Sequence, residues 1–394
     1  MISVEEAQKL VVKHSKTLST EKLSLYKSFG YVLAKDVYSP ISLPPFNQSG
    51  MDGYAFIYDD LVNNNNITIV GEVAAGKVYN KKLKKGQAVR IFTGAAVPEG
   101  ADTVVMQEKV TVEKNSLKIQ DTLIKKGANI RLKSSQINKG ELAVSKGTLL
   151  NAGAIGYLTG MGLNTVTVFR KPKVSVIVTG SELQKPGTKL KKGNIYESNT
   201  YSLIAALQSI NIEPVTVQCV SDNELKVYKL IEKAVKKSDV VLLSGGISVG
   251  DYDFVGSALM KMKAKNIFYK VKQKPGKPLF FGKHKRALIF ALPGNPAAVL
   301  TCFYYYVYPA IRQLQGNSNL FLKSLKLPIQ SDYNKKKGLS NFLKSRIENN
   351  HVVPLEGQES YKLSSFAIAD SMIYLAEDVE NIKSGTLVDV LILP

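Results

Sequence analysis

The sequence predicts a multidomain α/β plus β protein: a small β domain inserted into a longer unit that resumes near residue 137, an α/β unit with a parallel sheet, and a separate C-terminal β domain. Three observations carry this reading. Between Lys173 and Leu314 apolar strands alternate with helix-length segments, the pattern of βαβ units. From about residue 45, and again after Gly316, short β runs are separated by glycine, asparagine and lysine turns, the pattern of small β units. The chain of 394 residues also exceeds what one hydrophobic core supports, so two to four domains are expected.

The first element is a helix. Val4, Ala7, Leu10, Val11 and His14 share one face, with Ser3 as N-cap and Glu6 completing a capping box. A second short helix is expected from Thr20 to Phe29, stopped by Gly30 and followed by the strand-like Tyr31–Ala34. Pro40, Pro44 and Pro45 then break the chain, and strands are expected at Ile67–Val70, Gln87–Phe92, Asp102–Met106 and Ser116–Ile119. In the α/β unit the expected order is strand Val174–Val178, helix Thr200–Ile210, strand Val215–Val220, helix Glu224–Ser238 and strand Asp239–Leu243. A helix near Val255–Met262, strands at Ile267–Val271 and Leu288–Leu292, and a helix from Ala297 to Leu314 complete it. The final strand is Thr386–Leu393.

Composition narrows the function. No apolar run approaches the ~20 residues that span a bilayer, and the N-terminus lacks the plan of a signal peptide, so a cytoplasmic protein is expected. Cys219 and Cys302 are the two cysteines, read as buried free thiols, and His14, His284 and His351 are never at ligand spacing, which argues against a zinc site. A net charge of +21 attracts polyanions. The lysine clusters are short and lack interleaved aromatics, which argues against nucleic acid and for an anionic small substrate.

Chemistry concentrates at the strand ends of the α/β unit. The run Ser244–Asp253, with Gly245, Gly246, Ser248 and Gly250, follows the third strand; Lys274–Pro278 and Pro293–Pro296 follow later ones. A glycine-rich loop at the carboxyl end of a parallel strand lets backbone N–H groups reach an anion. Thr179–Glu182 ends the first strand, Ser221 and Asp222 the second, and Lys270 to Lys277 the fourth. Glycine amides, the Ser248 hydroxyl, Lys274 and Lys277 suit phosphate. Glu182, Asp222 and Asp253 suit a hard cation or hydrogen bonds from a heterocycle, although Asp222 and Asp253 equally fit as helix N-caps and Glu182 as a surface residue. In the β domain, Asn47–Ala55 carries Asp52 between two glycines, Thr93 lies in Phe92–Ala95, and Arg131 ends Asn129–Arg131. Alone, Asp52 reads as a hairpin turn and Arg131 as a surface charge.

Ser49–Ala55, Phe92–Ala95, Ser244–Gly250, Lys274–Pro278 and Leu292–Pro296 occur in the order found in the molybdopterin molybdenumtransferase (MoeA) family, shared with the carboxyl-terminal domain of gephyrin. Together they span most of the chain, which resembles that family throughout. The resemblance implies an elongated helical and strand domain at 1–44 and 137–170, an inserted β domain at 45–136, an α/β molybdopterin-binding domain at 171–316 and a C-terminal β barrel at 317–394. It implies a homodimer whose active cleft is shared between subunits. The implied activity inserts molybdate into adenylylated molybdopterin and releases AMP, with Mg²⁺, and transient contact with a molybdopterin adenylyltransferase or acceptor molybdoenzymes.

By position, the resemblance gives Asp52, Thr93, Glu182, Asp222, Asp253, Lys274 and Lys277 catalytic roles, with Glu182, Asp222 and Asp253 the expected cation ligands. Gly245, Gly246, Ser248, Lys270, Pro293, Gly294, Asn295, Pro296, Arg131 and Ser360 become binding residues. Three positions depart from the family pattern: Gln136 where aspartate is common, Lys344 where arginine is usual, and Glu359 where glycine is usual. A molybdopterin adenylyltransferase resembles the α/β unit but lacks Asp52 and the β domains, and a noncatalytic scaffold of the same fold is the rival from another class.

Overall fold

The computed structural model describes residues 1–63, 66–247 and 254–394. The first helix spans Val4–His14; the Ser3 hydroxyl accepts from the Glu6 N–H at 3.1 Å, with Glu5 and Glu6 in its first turn and Lys13 and His14 in its last, so cap and charges both favour it. Val4, Ala7 and Val11 are buried in one core with Val176, Leu203, Leu242 and Phe290. The helix therefore packs on the α/β unit.

The expected helix at Thr20–Phe29 is not formed. Thr20–Ser24 is a strand paired antiparallel with Thr165–Phe169, and only a single 3₁₀ turn, Leu25–Lys27, follows. The β-branched partner strand offers a ladder that overrides the weak helical pattern of this segment. Leu25 and Leu33 share a core with Ile137, Leu150, Leu158, Met161, Val166 and Val168, so the stretches before and after the insertion close on each other. Between them lies a six-stranded sheet in the order Thr103–Met106, Gly53–Phe56, Gln87–Ile91, Ile67–Val73, Ser116–Ile119, Val110–Glu113.

The α/β sheet runs Thr216–Val220, Val174–Thr179, Val240–Ser244, Ala287–Leu292, Phe280–His284, Lys265–Tyr269. The first four strands are mutually parallel and their central members fully buried, as expected of strands covered on both faces. Phe280–His284, which the sequence reading did not separate as a strand, runs antiparallel to both Ala287–Leu292 and Lys265–Tyr269. Its hairpin turn is Lys285–Arg286, with Lys285 at φ 54°. The closing helix changes register: Pro296–Cys302 is α-helical, Phe303–Val307 a π turn and Tyr308–Leu314 α-helical again. Pro309 supplies no N–H to the ladder just beyond the π turn.

The C-terminal sheet runs Gln273–Lys274, Ser340–Glu348, Ser371–Leu375, Leu387–Ile392, Ser324–Pro328, with His351–Pro354 paired to Ser340–Glu348. Its outermost strand is contributed by the α/β unit. Among the described residues no helix is long and apolar enough to cross a membrane. Cys302 is buried but Cys219 is exposed, contrary to the reading of both as core thiols; Thr216–Val220 is an edge strand and turns Cys219 outward.

Candidate active site

One cleft of about 610 Å³ opens at the carboxyl ends of the parallel strands, lined by Thr179, Glu182, Asp222, Gly245, Gly246, Gly294, Asn295 and Pro296, together with Glu197, Asn199 and Tyr361. The parallel register puts Thr179, Val220, Ser244 and Leu292 at neighbouring strand ends, so loops distant in sequence meet there. Gly245 sits at φ +83°, and a Cβ on it would run into the Thr179 carbonyl; a Cβ on Gly246 would lie 2.6 Å from Thr179 Oγ1. The loop backbone thus lies flat on the first strand.

Asn199, at the start of helix Asn199–Gln208, ties two loops together. Its Nδ2 donates to Ser244 Oγ at 3.0 Å and to the Gly294 carbonyl at 2.8 Å, while Ser244 Oγ donates to the Pro293 carbonyl at 3.0 Å. Asp222 is held by Ser181: its Oδ2 accepts from the Ser181 N–H at 2.9 Å, and its own N–H donates to Ser181 Oγ at 3.0 Å. The buried atoms Thr179 Oγ1, Asn199 Oδ1 and Asp222 Oδ1 have no hydrogen-bond partner among the described residues. Three unsatisfied polar atoms around one cleft are the arrangement expected of a site that completes itself with a ligand.

A second cleft, of about 410 Å³, is lined by Gln273, Lys274, Gly276, Lys277, Pro293, Asn295 and Ser360. Lys274 and Lys277 are exposed, whereas Pro275 and Gly276 between them are buried. Asn295 Nδ2 donates to Ser360 Oγ at 2.8 Å, and the Ala297 N–H donates to the Ser360 carbonyl at 3.0 Å. The C-terminal unit thus reaches the Pro-Gly-Asn-Pro loop through Ser360.

That reach is organised by Lys344. Its side chain is buried, and Nζ donates to the carbonyls of Gly357, Lys362 and Glu359 at 2.7, 3.2 and 3.3 Å. Burial pushes its pKa down, opposed by the Glu359 carboxylate. The ammonium is spent inside the loop that carries Ser360.

Asp52 and Thr93 face each other from loops beside the inserted strands Gly53–Phe56 and Gln87–Ile91. Asp52 Oδ1 accepts both the N–H and the hydroxyl of Thr93, each at 2.7 Å, and these two bonds hold the carboxyl below its ordinary value. Arg131 is exposed on a two-residue strand paired with Gln48–Ser49, beside the same loop, and the Gly50 N–H donates to the Asn129 carbonyl. Gln136 is exposed and its N–H donates to the Leu43 carbonyl.

The structure therefore gathers Glu182, Asp222, Gly245, Gly246 and the Pro293–Pro296 loop around one cleft, with Lys274, Lys277 and Ser360 beside it. It places Asp52 and Thr93 in loops beside the inserted strands Gly53–Phe56 and Gln87–Ile91, and Arg131 on the separate two-stranded pair with Gln48–Ser49. Lys270 stands at φ 66° with its Nζ over the Tyr269 ring. Ser248 and Asp253 lie outside the described residues, and among the described residues no three His, Cys, Asp or Glu side chains gather as a metal group. Sequence reasoning missed Glu197, Asn199 and Tyr361; the one local signal for Asn199 was its place before an apolar helix.

A parallel sheet whose strand ends converge on a polar, partly unsatisfied cleft, with β units at both ends, defines an α/β protein with the architecture of a small-molecule site. Residues 2–162 match the family described as the MoeA N-terminal region (domain I and II), residues 175–313 the "Probable molybdopterin binding domain", and residues 326–393 the MoeA C-terminal region (domain IV). The molybdopterin molybdenumtransferase of Haemophilus influenzae is 33% identical over 99% of this chain and 98% of its own length. That of Nostoc is 40% identical over 78% of this chain and 72% of its own. The crystal structure of the molybdopterin biosynthesis MoeA protein from Pyrococcus horikoshii superposes with a TM-score of 0.85 at 29% identity, covering both chains completely. The chain belongs to the MoeA family.

Proposed function

We propose that this protein is a molybdopterin molybdenumtransferase, taking adenylylated molybdopterin and molybdate and releasing molybdenum cofactor and AMP. The observation that carries the reading is the convergence of the Gly245–Gly246 loop, Asp222 and the Pro293–Pro296 loop on one cleft beside the exposed Lys274 and Lys277. Both substrates are anions. Gly-Gly backbone amides and the two lysines bind them through charge-assisted hydrogen bonds, and such preorganised donors stabilise charge that develops on phosphate oxygens. Asp52 acts as an ionised acceptor: Thr93 occupies one of its oxygens and lowers its pKa, leaving Oδ2 to the reacting group.

Glu182 and Asp222 would hold Mg²⁺, and the buried, unpartnered Oδ1 of Asp222 fits a carboxylate ligand. When bound, the cation supplies Lewis-acid polarisation of the phosphoanhydride. The four-domain division and a cytoplasmic homodimer are part of this reading, as are the binding roles of Lys270, Arg131 and Ser360 and brief encounters with a molybdopterin adenylyltransferase or acceptor molybdoenzymes. A dimer cleft that joins the inserted sheet of one subunit to the α/β unit of the other would bring Asp52 to the substrate.

The test is single-turnover AMP release from adenylylated molybdopterin with Mg²⁺, with and without molybdate. Molybdate-dependent release by the native chain, lost in Asp52→Ala, is expected. A native protein that binds adenylylated molybdopterin without releasing AMP would turn the reading to the noncatalytic scaffold.

A further inference from the structure

Gln273, Tyr306 and Cys302 form a buried platform under the loop that carries Lys274 and Lys277. The Gln273 side chain is 1% exposed, Tyr306 and Cys302 not at all. Gln273 Nε2 donates to the Pro275 carbonyl at 3.0 Å and to the Gly276 carbonyl at 3.2 Å, and its Oε1 accepts from the Tyr306 hydroxyl. Both amide hydrogens and the amide oxygen are therefore committed, which fixes the orientation of the group. Cys302 Sγ approaches the Gly276 carbonyl at 3.8 Å.

We infer that Gln273 and Tyr306 are positioning residues for the anion-binding lysines. A trans peptide points its C=O and N–H in opposite directions. Gln273 draws the carbonyls of Pro275 and Gly276 inward, so the N–H groups of Gly276 and Lys277 lie on the face away from the platform. Neither has a hydrogen-bond partner among the described residues. The loop presents donors and ammonium groups outward because its acceptors are tied down beneath.

The platform also leaves no slack. A Cβ at Gly276 would lie 2.6 Å from Cys302 Sγ and 2.7 Å from Gln273 Nε2. Tyr306 reaches Gln273 from the π turn Phe303–Val307, an irregularity that recurs at functional sites in helices. Anchorage extends to the C-terminal unit, where Gln273 pairs with Ser340 and Lys274 with Asn341.

This inference rests on the proposed transferase reading, and the experiment separates the two. Tyr306→Phe deletes only the hydroxyl and keeps the ring in its core. We expect KM for an anionic substrate, molybdate or adenylylated molybdopterin, to rise about tenfold with kcat within about a factor of two, matching loss of one buried hydrogen bond. Gln273→Met should do at least as much, and adding Tyr306→Phe to it should change little further, because the two act as one unit. A lowered melting temperature with both KM values unmoved would overturn the inference and leave a purely structural pair. Calorimetric titration of molybdate into the native protein and Tyr306→Phe gives a readout independent of turnover. Weaker molybdate binding by the variant, in a native protein that releases no AMP, would keep the positioning role and sink the transferase reading. Equal binding in the two proteins, together with unchanged KM, would sink the positioning role alone.

Discussion

Thr93 directs two donors, its N–H and its hydroxyl, at a single oxygen of Asp52, each at 2.7 Å. Both bonds favour the charged carboxylate, so the folded pKa is depressed. Their contribution is present above the ordinary aspartate value of ~3.9 and is lost as pH falls through the lower folded value. Thr93→Val removes the hydroxyl and keeps the N–H. The Asp52 pKa should rise yet stay below the ordinary value, as read by carboxyl NMR titration, and the acid limb of turnover should move to higher pH with it. Asp52→Asn should lower kcat about a hundredfold or more.

Arg170 donates to both oxygens of Asp239, at 2.7 and 2.8 Å, where the chain enters the α/β unit, and the Lys173 N–H adds a third bond at 2.8 Å. Burial pushes the Asp239 carboxyl up, but these bonds more than offset it and the pKa falls below its ordinary value. The stabilisation is thus complete above ~3.9 and disappears as pH drops through the folded value. Arg170→Met should cost about 1–3 kcal/mol near neutrality and bring acid unfolding on at a higher pH. Urea midpoints measured from about pH 6 down to about pH 3 check both parts.

Lys344→Met would strip the carbonyls of Gly357, Glu359 and Lys362 of a shared donor. A loss of about 1–3 kcal/mol is expected, with faster hydrogen exchange at the Ala297 N–H, which is bonded to Ser360 in the same loop. Lys344→Arg keeps the charge and should retain most of the protection. Equal exchange in all three proteins would show that the loop holds its place without the cation.

Gly245 and Gly94 have nearly the same left-handed φ, +83° and +82°, but different surroundings. A Cβ at Gly94 meets nothing within 4 Å, whereas one at Gly245 collides with the Thr179 backbone. Gly94→Ala should lose only the conformational term, about 1–2 kcal/mol. Gly245→Ala should lose clearly more and weaken binding of adenylylated molybdopterin, because the loop must lift off the strand. Thermal unfolding and calorimetry on the two variants compare them directly.

What could be read from the chain beforehand divides along local and nonlocal lines. The cap at Ser3, the alternation of strand and helix after Lys173 and the glycine and proline loops at strand ends are local patterns, and those elements are present. Thr20–Ser24 is a strand only because Thr165–Phe169 lies beside it. Phe280–His284 escaped notice because its glycine, Gly282, lies inside the strand, while the turn that ends it, Lys285–Arg286, holds neither glycine nor proline and Lys285 takes a positive φ that lysine seldom shows. Asn199 and Tyr306 matter through partners at positions 244, 294 and 273, and no spacing rule links such residues. Lys344 was legible as a departure from the family pattern, but its burial and its three carbonyl partners were not.

The two-residue strand Gln273–Lys274 belongs by chain order to the α/β unit and by hydrogen bonding to the C-terminal sheet, with the Ser340 N–H also donating to the Lys272 carbonyl. The seam between these modules therefore runs through the exposed Lys274 instead of around it. A chimera that exchanges residues 317–394 for those of a relative would graft a foreign neighbour onto Lys274, and its success would depend on whether the incoming strand accepts the same two-residue splice. Modules joined this way are expected to change together over evolutionary time, since neither can drift in register without moving the other's charges.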